Sequence, residues 1–446
     1  MNFFKKIRRK RRYNKYSGGR FFIYLMNYFF CYLPIKIFSI FLPPQILFHT
    51  WLAKWVFYLT FLWLYLGFSI LISASYYDAL FHFRFGFYYI RRQLVWSLLG
   101  FIAFNLILRT PIGLLLKYSE LGFFFALISL FFIFKKGIEI NGSRRWFSIK
   151  GFLIQPSELI KPLWVIQLAK IFSKWENFDW IDRVFWLMVF SFVILFILLQ
   201  PNLSTAGLYS IILWMLALSA GLTKRFLFAM FFFGFFVVWC SIQKNPYQKL
   251  RIISFLNPWN DPKGNGYQLV QSLIAIGCGR IFGRGYGFSK QKLGYLPIHE
   301  TDFIFSVFAE EFGFLGILSL FYFYGIYIFL CFKVAFYYSF PVTQLITLGS
   351  MLSLIIQSFF NIGVAVGALP TTGLPLPFFS YGGDALIACL LNAALIIRVA
   401  IESEIRSFYL KFFTSGRLET TKFDHKSKLV QKMQNILAAT LAKRSL

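Results

Sequence analysis

Charge is costly to hold in low-dielectric surroundings, so ionisable side chains seldom sit beside long apolar runs unless they have work to do. In this sequence several do. Asn141-Gly-Ser-Arg-Arg-Trp-Phe is followed by Gln155-Pro-Ser-Glu-Leu-Ile-Lys161, which sets Arg145 and Trp146 close to Glu158 and Lys161. Glu158 and Lys161 are three apart, so they share a helix face and can pair. The segment reads either as a polar site or as a helix start, with Pro156 in the first turn and Glu158 against the positive helix end. Thr301-Asp302 precedes the apolar run Phe303 to Ala309, and Glu310-Glu311 follows. A carboxylate at the edge of an apolar helix is desolvated, which makes it a better proton acceptor once ionised. The competing role is a plain helix cap.

Two glycine-rich segments complete the set. Gly277-Cys-Gly-Arg-Ile-Phe-Gly-Arg-Gly-Tyr-Gly287 has the makings of a backbone nest in which Arg280 and Arg284 cradle a diphosphate. A flexible loop is the alternative, and the lack of a preceding strand and of a βαβ unit argues against a dinucleotide site. The run Ala368 to Gly383 carries three prolines and three glycines and cannot form a continuous helix. At membrane depth such backbone is tolerated only when buried in protein or lining a cavity, so a cavity facing outward is expected beside Ser380, Gly382 and Gly383. His49, His82, His299 and His425 show no ligand spacing. Cys31, Cys240, Cys278, Cys331 and Cys389 lack C-x-x-C spacing and read as single apolar thiols.

The elements that carry these segments follow from composition. Of 446 residues 58% are hydrophobic and 14% charged, with 61 Phe, 24 Tyr and 12 Trp, and the mean hydropathy is +0.64. These values exclude soluble, collagenous, disordered and disulfide-stapled classes. The expected fold is all-α, a polytopic integral membrane protein. A crossing helix needs about 20 apolar residues, and suitable windows fall at 55–76, 93–108, 113–134, 158–173, 184–200, 203–221, 225–242, 312–334, 342–365 and 384–401. That makes about ten spans, with one long polar loop, 241–311, between spans 7 and 8. Loops of that length are usually functional.

Charge then orients the chain. The net +29 arises from 46 basic against 17 acidic residues. In a soluble chain this would point to nucleic acid; in a membrane protein it reports sidedness. Nine basic residues fall in the first twenty, no acid precedes Asp78, and ten basic residues lie from Arg398 onward. Both termini are therefore expected in the cytoplasm and the long loop outside. No secretory signal peptide follows the basic arm. The organisation read from the sequence is a basic arm with an interfacial segment at 21–42 (residues 1–54), a membrane domain (55–401), and a basic tail (402–446). In that tail Leu429, Met433, Ile436, Leu437 and Leu441 recur at helical spacing, as in a helix lying on the membrane surface.

Taken in order, the runs Asn141-Gly-x-Arg-Arg-Trp, Gln155-Pro-Ser-Glu-x-x-Lys161, Gln200-Pro-Asn, Pro246-Tyr-Gln-x-x-Arg251-Ile, Gly266-Tyr-Gln-x-x-Gln-Ser272, Thr301-Asp-Phe-Ile-Phe, Glu310-Glu-x-Gly and Leu369-Pro-Thr-Thr-Gly-x-Pro-Leu-Pro-Phe-x-Ser-Tyr-Gly-Gly383 resemble the SEDS family. These are the polytopic peptidoglycan polymerases of bacterial division, elongation and sporulation. The resemblance covers residues 55–400. Ser73-Ala-Ser and Gly287-Phe-Ser-Lys-Gln-Lys-Leu-Gly-Tyr-Leu-Pro297 are more similar to the division branch than to the elongation branch.

The resemblance implies a glycosyltransferase of the cytoplasmic membrane that polymerises lipid II into β-1,4-linked glycan on the outer face, beside a single-span class B penicillin-binding transpeptidase and other divisome or elongasome proteins. By motif, Asp302 matches the family's essential acid, Glu158 and Lys161 its cavity pair, and Arg145 and Trp146 the adjoining outer loop. Lipid II carries an α-linked diphosphate, and a β bond inverts that centre, so the acceptor hydroxyl must lose a proton, with Asp302 as its base. The leaving diphosphate needs positive charge, for which Lys161, Arg145, Arg251, Arg280 and Arg284 are at hand. Gln268 lies in the family's Gly-Tyr-Gln run. No cofactor is required by the motifs; a divalent cation, Mg2+ or Mn2+, bridging Asp302 and the diphosphate would share the task. A lipid II flippase is the rival from another class, and a recruiting scaffold a third reading. The sequence also departs from the family pattern. Pro297-Ile-His-Glu-Thr-Asp302 stands for Pro-Glu-x-His-Thr-Asp, Asn202 for an Asp, and Asp384 for a Ser.

Overall fold

The computed structural model describes residues 43–44, 47, 50–140, 143–149, 152–244, 246–337 and 340–414. The interfacial segment 21–42 and the amphipathic helix at 429–441 lie outside the described residues. The chain forms α1 (Trp51–Phe83), α2 (Tyr88–Arg109), α3 (Ile112–Lys136), a three-stranded sheet of β1 (Ile138–Ile140), β2 (Ser143–Ile149) and β3 (Phe152–Ile154), then α4 (Pro156–Leu159), α5 (Lys161–Phe172), α6 (Trp180–Leu199) and α7 (Leu203–Ser219). There follow α8 (Lys224–Lys244), α9 (Pro246–Leu256), α10 (Tyr267–Gly279), α11 (Ile304–Tyr337), α12 (Pro341–Ala365) and α13 (Gly383–Thr414).

Eight of these, α1, α2, α3, α6, α8, α11, α12 and α13, are long and apolar enough to cross a membrane. The protein is a multi-pass helical membrane protein. The other two expected spans are shorter helices, α5 and α7. Both lie inside the bundle, with Trp164, Val165, Leu168 and Ala169 of α5 and Leu208, Tyr209, Leu216 and Ala217 of α7 wholly buried. A helix surrounded by protein need not match the bilayer thickness, because neighbouring side chains replace lipid. By contrast α8 shows Phe228, Phe231, Phe232, Phe233, Phe235 and Phe236 at its surface, as a helix facing hydrocarbon does. The final helix continues past the expected boundary at 401.

One refinement of the all-α expectation is the sheet, antiparallel in the order β1-β2-β3. It puts the Arg145-Trp146 motif on a strand, Trp146 opposite Ile138 and Phe147 opposite Ile154. Pairing satisfies backbone groups that a loose loop would leave open against an apolar bundle.

At one end of the bundle α13 ties the other helices together. Glu404 accepts from the N–H groups of Trp51 (2.8 Å) and Leu52 (2.6 Å), and Glu402 from that of Ile112 (2.8 Å) and from Arg398 (2.6 Å). Each carboxylate thus satisfies open amides at a helix start and meets the positive end of the dipole. Glu404→Ala is expected to cost about 1–2 kcal/mol, read as a lower melting temperature in detergent with activity per folded molecule unchanged.

At the opposite end α11 is broken. Gly313 has φ 64 and ψ −162 inside the helix, which releases carbonyls before it and amides after it. The glycine-rich segment after α10 takes up both. Arg284 and Gly285 donate to the carbonyls of Glu310 and Glu311 (both 3.0 Å), while Phe314 and Leu315 donate to those of Arg280 (2.9 Å) and Ile281 (3.1 Å). The approach needs glycine. A Cβ on Gly283 would lie 2.1 Å from the Glu311 carbonyl oxygen, and one on Gly279 2.1 Å from that of Ala309. The segment is therefore fastened to α11 rather than loose, with the amides of Arg284 and Gly285 taken up by that pairing.

Candidate active site

Asp302 sits in the turn just before α11, beneath the proline-rich run that joins α12 to α13. That run is laced to the turn at each residue. Tyr381 donates its N–H to the Glu300 carbonyl (2.9 Å), the Ser380 hydroxyl donates to the Thr301 carbonyl (2.5 Å), and the Asn361 amide of α12 donates to the carbonyls of Asp302 (2.8 Å) and Leu374 (2.9 Å). Gly373 passes close by, where an added Cβ would stand 3.8 Å from Asp302 Oδ2. Arg251 of α9 donates to the Thr371 carbonyl (3.1 Å), which brings a guanidinium from the long loop to the same place. Arg145 of β2 donates to the carbonyls of Gln200 (3.0 Å) and Pro201. Two sequence motifs 55 residues apart are joined by that contact.

Burial pushes the Asp302 carboxyl from 3.8 up to about 6, opposed by the Arg251 charge, reinforced by Glu300, and opposed again by a Thr301 hydrogen bond and by Arg145. The acid is thus poised to exchange a proton near neutral pH rather than being held as a permanent anion. It is not a helix cap of the ordinary kind, since α11 begins at Ile304 and the nearest amide bond runs from Ser306 to the Phe303 carbonyl.

A second polar set lies behind the proline-rich run. Lys161, 2% exposed, donates to Glu158 (2.6 Å; 4% exposed) and to Gln357 Oε1 (2.7 Å), and the Gln357 amide donates to the Pro375 carbonyl (2.8 Å). The expected pair therefore exists, and Gln357 links it to the run that covers Asp302. Gln155 N–H donates to Asp384 Oδ2 (2.7 Å), so the acid that departs from the family pattern is buried and anchors the start of α4. Asn202 accepts from the Thr205 N–H (3.3 Å) and caps α7, a job Asp would do equally well. Ile298, the third departure, is exposed and adopts φ 56, a region a β-branched residue rarely occupies.

The remaining candidates divide. Gly382 donates to Gln93 Oε1 (3.3 Å), and a Cβ on Gly383 would meet the Trp96 ring at 2.2 Å, so both glycines seat the run on α2. Gln268 is half-buried in the first turn of α10, and Trp146 half-buried on β2. Arg280 and Arg284 belong to a third place. With Gly277, Cys278, Gly279 and Gly283 they line a concavity of about 450 Å³, and Arg284 pairs with Glu310 at 3.3 Å. Sequence reasoning passed over Gln93, Gln357 and Asn361. Their signal was present as amide side chains embedded in apolar runs, with Gln357 and Asn361 four apart on one face of α12. Among the described residues no group of three or more His, Cys, Asp or Glu converges to hold a metal.

The family model of the cell cycle proteins FtsW, RodA and SpoVE matches residues 53–405. The chain belongs to this FtsW/RodA/SpoVE family. It is 44% identical to a probable peptidoglycan glycosyltransferase FtsW of Synechocystis sp., over 83% of this chain and 94% of the relative. A protein of Cyanophora paradoxa that bears the same FtsW name is 48% identical over 85% of this chain and 96% of its own length. Among solved structures, the fold is similar to a chain of a peptidoglycan synthase complex that coordinates polymerization and crosslinking (TM-score 0.64, 28% identity, 78% of this chain and 97% of that one). It is also similar to the rod shape determining protein RodA of Thermus thermophilus (TM-score 0.58, 28% identity, 77% and 95%). In this FtsW/RodA/SpoVE chain the motifs that carried the resemblance occupy one end of the bundle, around Asp302 and the Glu158–Lys161 pair.

Proposed function

We propose that the chain polymerises lipid II into β-1,4-linked glycan strands, with Asp302 as the general base that takes the proton of the acceptor 4-hydroxyl. The observation that carries this is a half-buried carboxyl, held near neutral pKa, facing two guanidinium groups from distant elements under an irregular backbone roof. A base in such a place accepts a proton during attack, and Arg251 and Arg145 stabilise the charge that develops on the departing lipid diphosphate. Glu158 and Lys161 position the roof through Gln357 and Pro375, and Lys161 offers its charge from the far side. Ser380, Gly382 and Gly383 hold the roof in place, Gln268 and Trp146 offer half-buried polar and aromatic contacts, and Arg280 and Arg284 present positive charge in a separate concavity. Were a divalent cation, Mg2+ or Mn2+, to take part, Asp302 would be the residue to hold it, and it would supply positive charge to the departing diphosphate. The high identity to proteins named FtsW supports a role in septal synthesis, and the synthase-complex neighbour supports a class B transpeptidase as partner. The positive tails support an arrangement with both termini cytoplasmic and Asp302 outside.

The test is direct. Purified protein, its transpeptidase partner and lipid II in detergent are expected to yield glycan polymer on a gel. Vesicles that translocate lipid II without any polymer would instead establish a flippase.

A further inference from the structure

The segment from Arg280 to Thr301 leaves the end of α10 and returns to Asp302 as a strap across the bundle. Its fastening converges on Glu310, in the second turn of α11 and 0% exposed. Glu310 Oε2 accepts from the Ser289 hydroxyl (2.5 Å) and the Gln291 N–H (3.2 Å), and Oε1 from the Lys290 N–H (3.1 Å), with the Arg284 guanidinium at 3.3 Å. Next to it Glu311 takes Lys292 (2.8 Å) and the Ser73 hydroxyl of α1 (2.5 Å). Beyond the clasp the strap turns back, Leu296 N–H to the Gln291 carbonyl (2.9 Å), and the His299 ring lies between the carbonyls of Leu296 (2.7 Å) and Ala74 (3.1 Å). Glu300 and Thr301 are then gripped by Tyr381 and Ser380, and the next residue is Asp302.

Burying a carboxylate is expensive unless each lone pair is met. Among the described residues every donor to the Glu310 side chain comes from the strap and none from a bundle helix. Apolar packing would stabilise a strap as well but would let it slide, whereas charge-assisted hydrogen bonds have direction and short range. The break at Gly313 adds a second lock, because the strap backbone is spliced into α11, the helix that begins just after Asp302.

We propose that Glu310 is a positioning residue, which clasps the strap so that Asp302 is presented at working distance to Arg251, Arg145 and the acceptor hydroxyl. This rests on the reading of Asp302 as the base. The charged groups facing Asp302 are Arg251 from α9, Arg145 from β2 and Glu300 of its own segment, beside a hydrogen bond from Thr301; Glu310 acts on none of them directly. Misplacing a reacting group by an ångström costs about 10²-fold, so Glu310→Gln should lower kcat about 10–100-fold with KM for lipid II within about twofold.

The deciding readout is the pH dependence of kcat in the purified complex. A loosened strap admits water to Asp302, so the acid limb should move to lower pH in Glu310→Gln. Ser289→Ala, which removes one clasp donor, should move it the same way by less and stands in if Glu310→Gln does not fold. Glu404→Ala serves as a control that loses stability at the other end of the bundle without moving the limb. The proposal is overturned if Glu310→Gln or its stand-in keeps the wild-type limb, whether the rate is unchanged or merely follows the folded fraction. Polymer formation by Asp302→Asn at the wild-type rate would sink the base assignment itself. An inactive Asp302→Asn beside an unaltered Glu310→Gln would sink only the clasp.

Discussion

Asp302→Asn is expected to lower the rate of glycan polymerisation by about 10²–10⁴-fold, the range that a positioned proton acceptor supplies. The amide keeps the shape and the neighbouring hydrogen bonds but accepts no proton at neutral pH. In the wild type the rate should rise with pH through about 6, where the buried carboxyl ionises. Stability should run the other way. The folded carboxyl binds its proton more tightly than the unfolded one, so no cost arises below 3.8, the cost accrues as pH climbs to about 6, and it is complete above that. Moving a carboxyl from 3.8 to about 6 disfavours the ionised fold by up to about 3 kcal/mol. Asp302→Asn should therefore melt higher than wild type at pH 8, with the gap closing toward pH 4. A variant that is inactive but no more stable at pH 8 would mean that the carboxyl is not held out of water.

The second large effect concerns the buried pair. Lys161→Met leaves Glu158 and the Gln357 oxygen without their cation, and an orphaned buried charge costs about 3–5 kcal/mol, a large part of the stability of a typical domain. That variant is expected to aggregate in detergent or melt far below wild type. Replacing both partners, Glu158→Gln with Lys161→Met, removes the charge altogether and should restore much of the melting temperature. It separates the two meanings that the spacing alone left open. If the double variant folds and polymerises normally, the pair is a structural staple; if it folds and polymerises poorly with a raised KM for lipid II, Lys161 meets the diphosphate.

These outcomes bear unevenly on what a one-dimensional reading could see. Long apolar runs give helices, eight of them of spanning length among the described residues, because the bilayer, or a bundle replacing it, admits few other structures. Glu158 and Lys161 could be paired on paper because a spacing of three is a local property of a helix. The sheet under Arg145 was not visible, since strands of three to seven residues depend on partners rather than on their own pattern. Nor was the fate of the glycine-rich segment. Its glycines look like a phosphate loop until α11 breaks at Gly313 and takes the amides of Arg284 and Gly285.

The residue types around Asp302 were thus set by sequence: an acid at the edge of an apolar helix, basic groups in polar loops, and a proline-rich run unable to be a helix. Hydrophobicity, propensity and charge are additive along the chain and survive reading in one dimension. Which groups meet was decided by tertiary structure alone. Arg145 is brought to Gln200, Arg251 to Thr371, Gln357 to Lys161 and Ser289 to Glu310 only when helices distant in sequence pack together. Hydrogen bonds and desolvation act over a few ångströms, so the pKa of Asp302 and the company of Glu310 are properties of the fold.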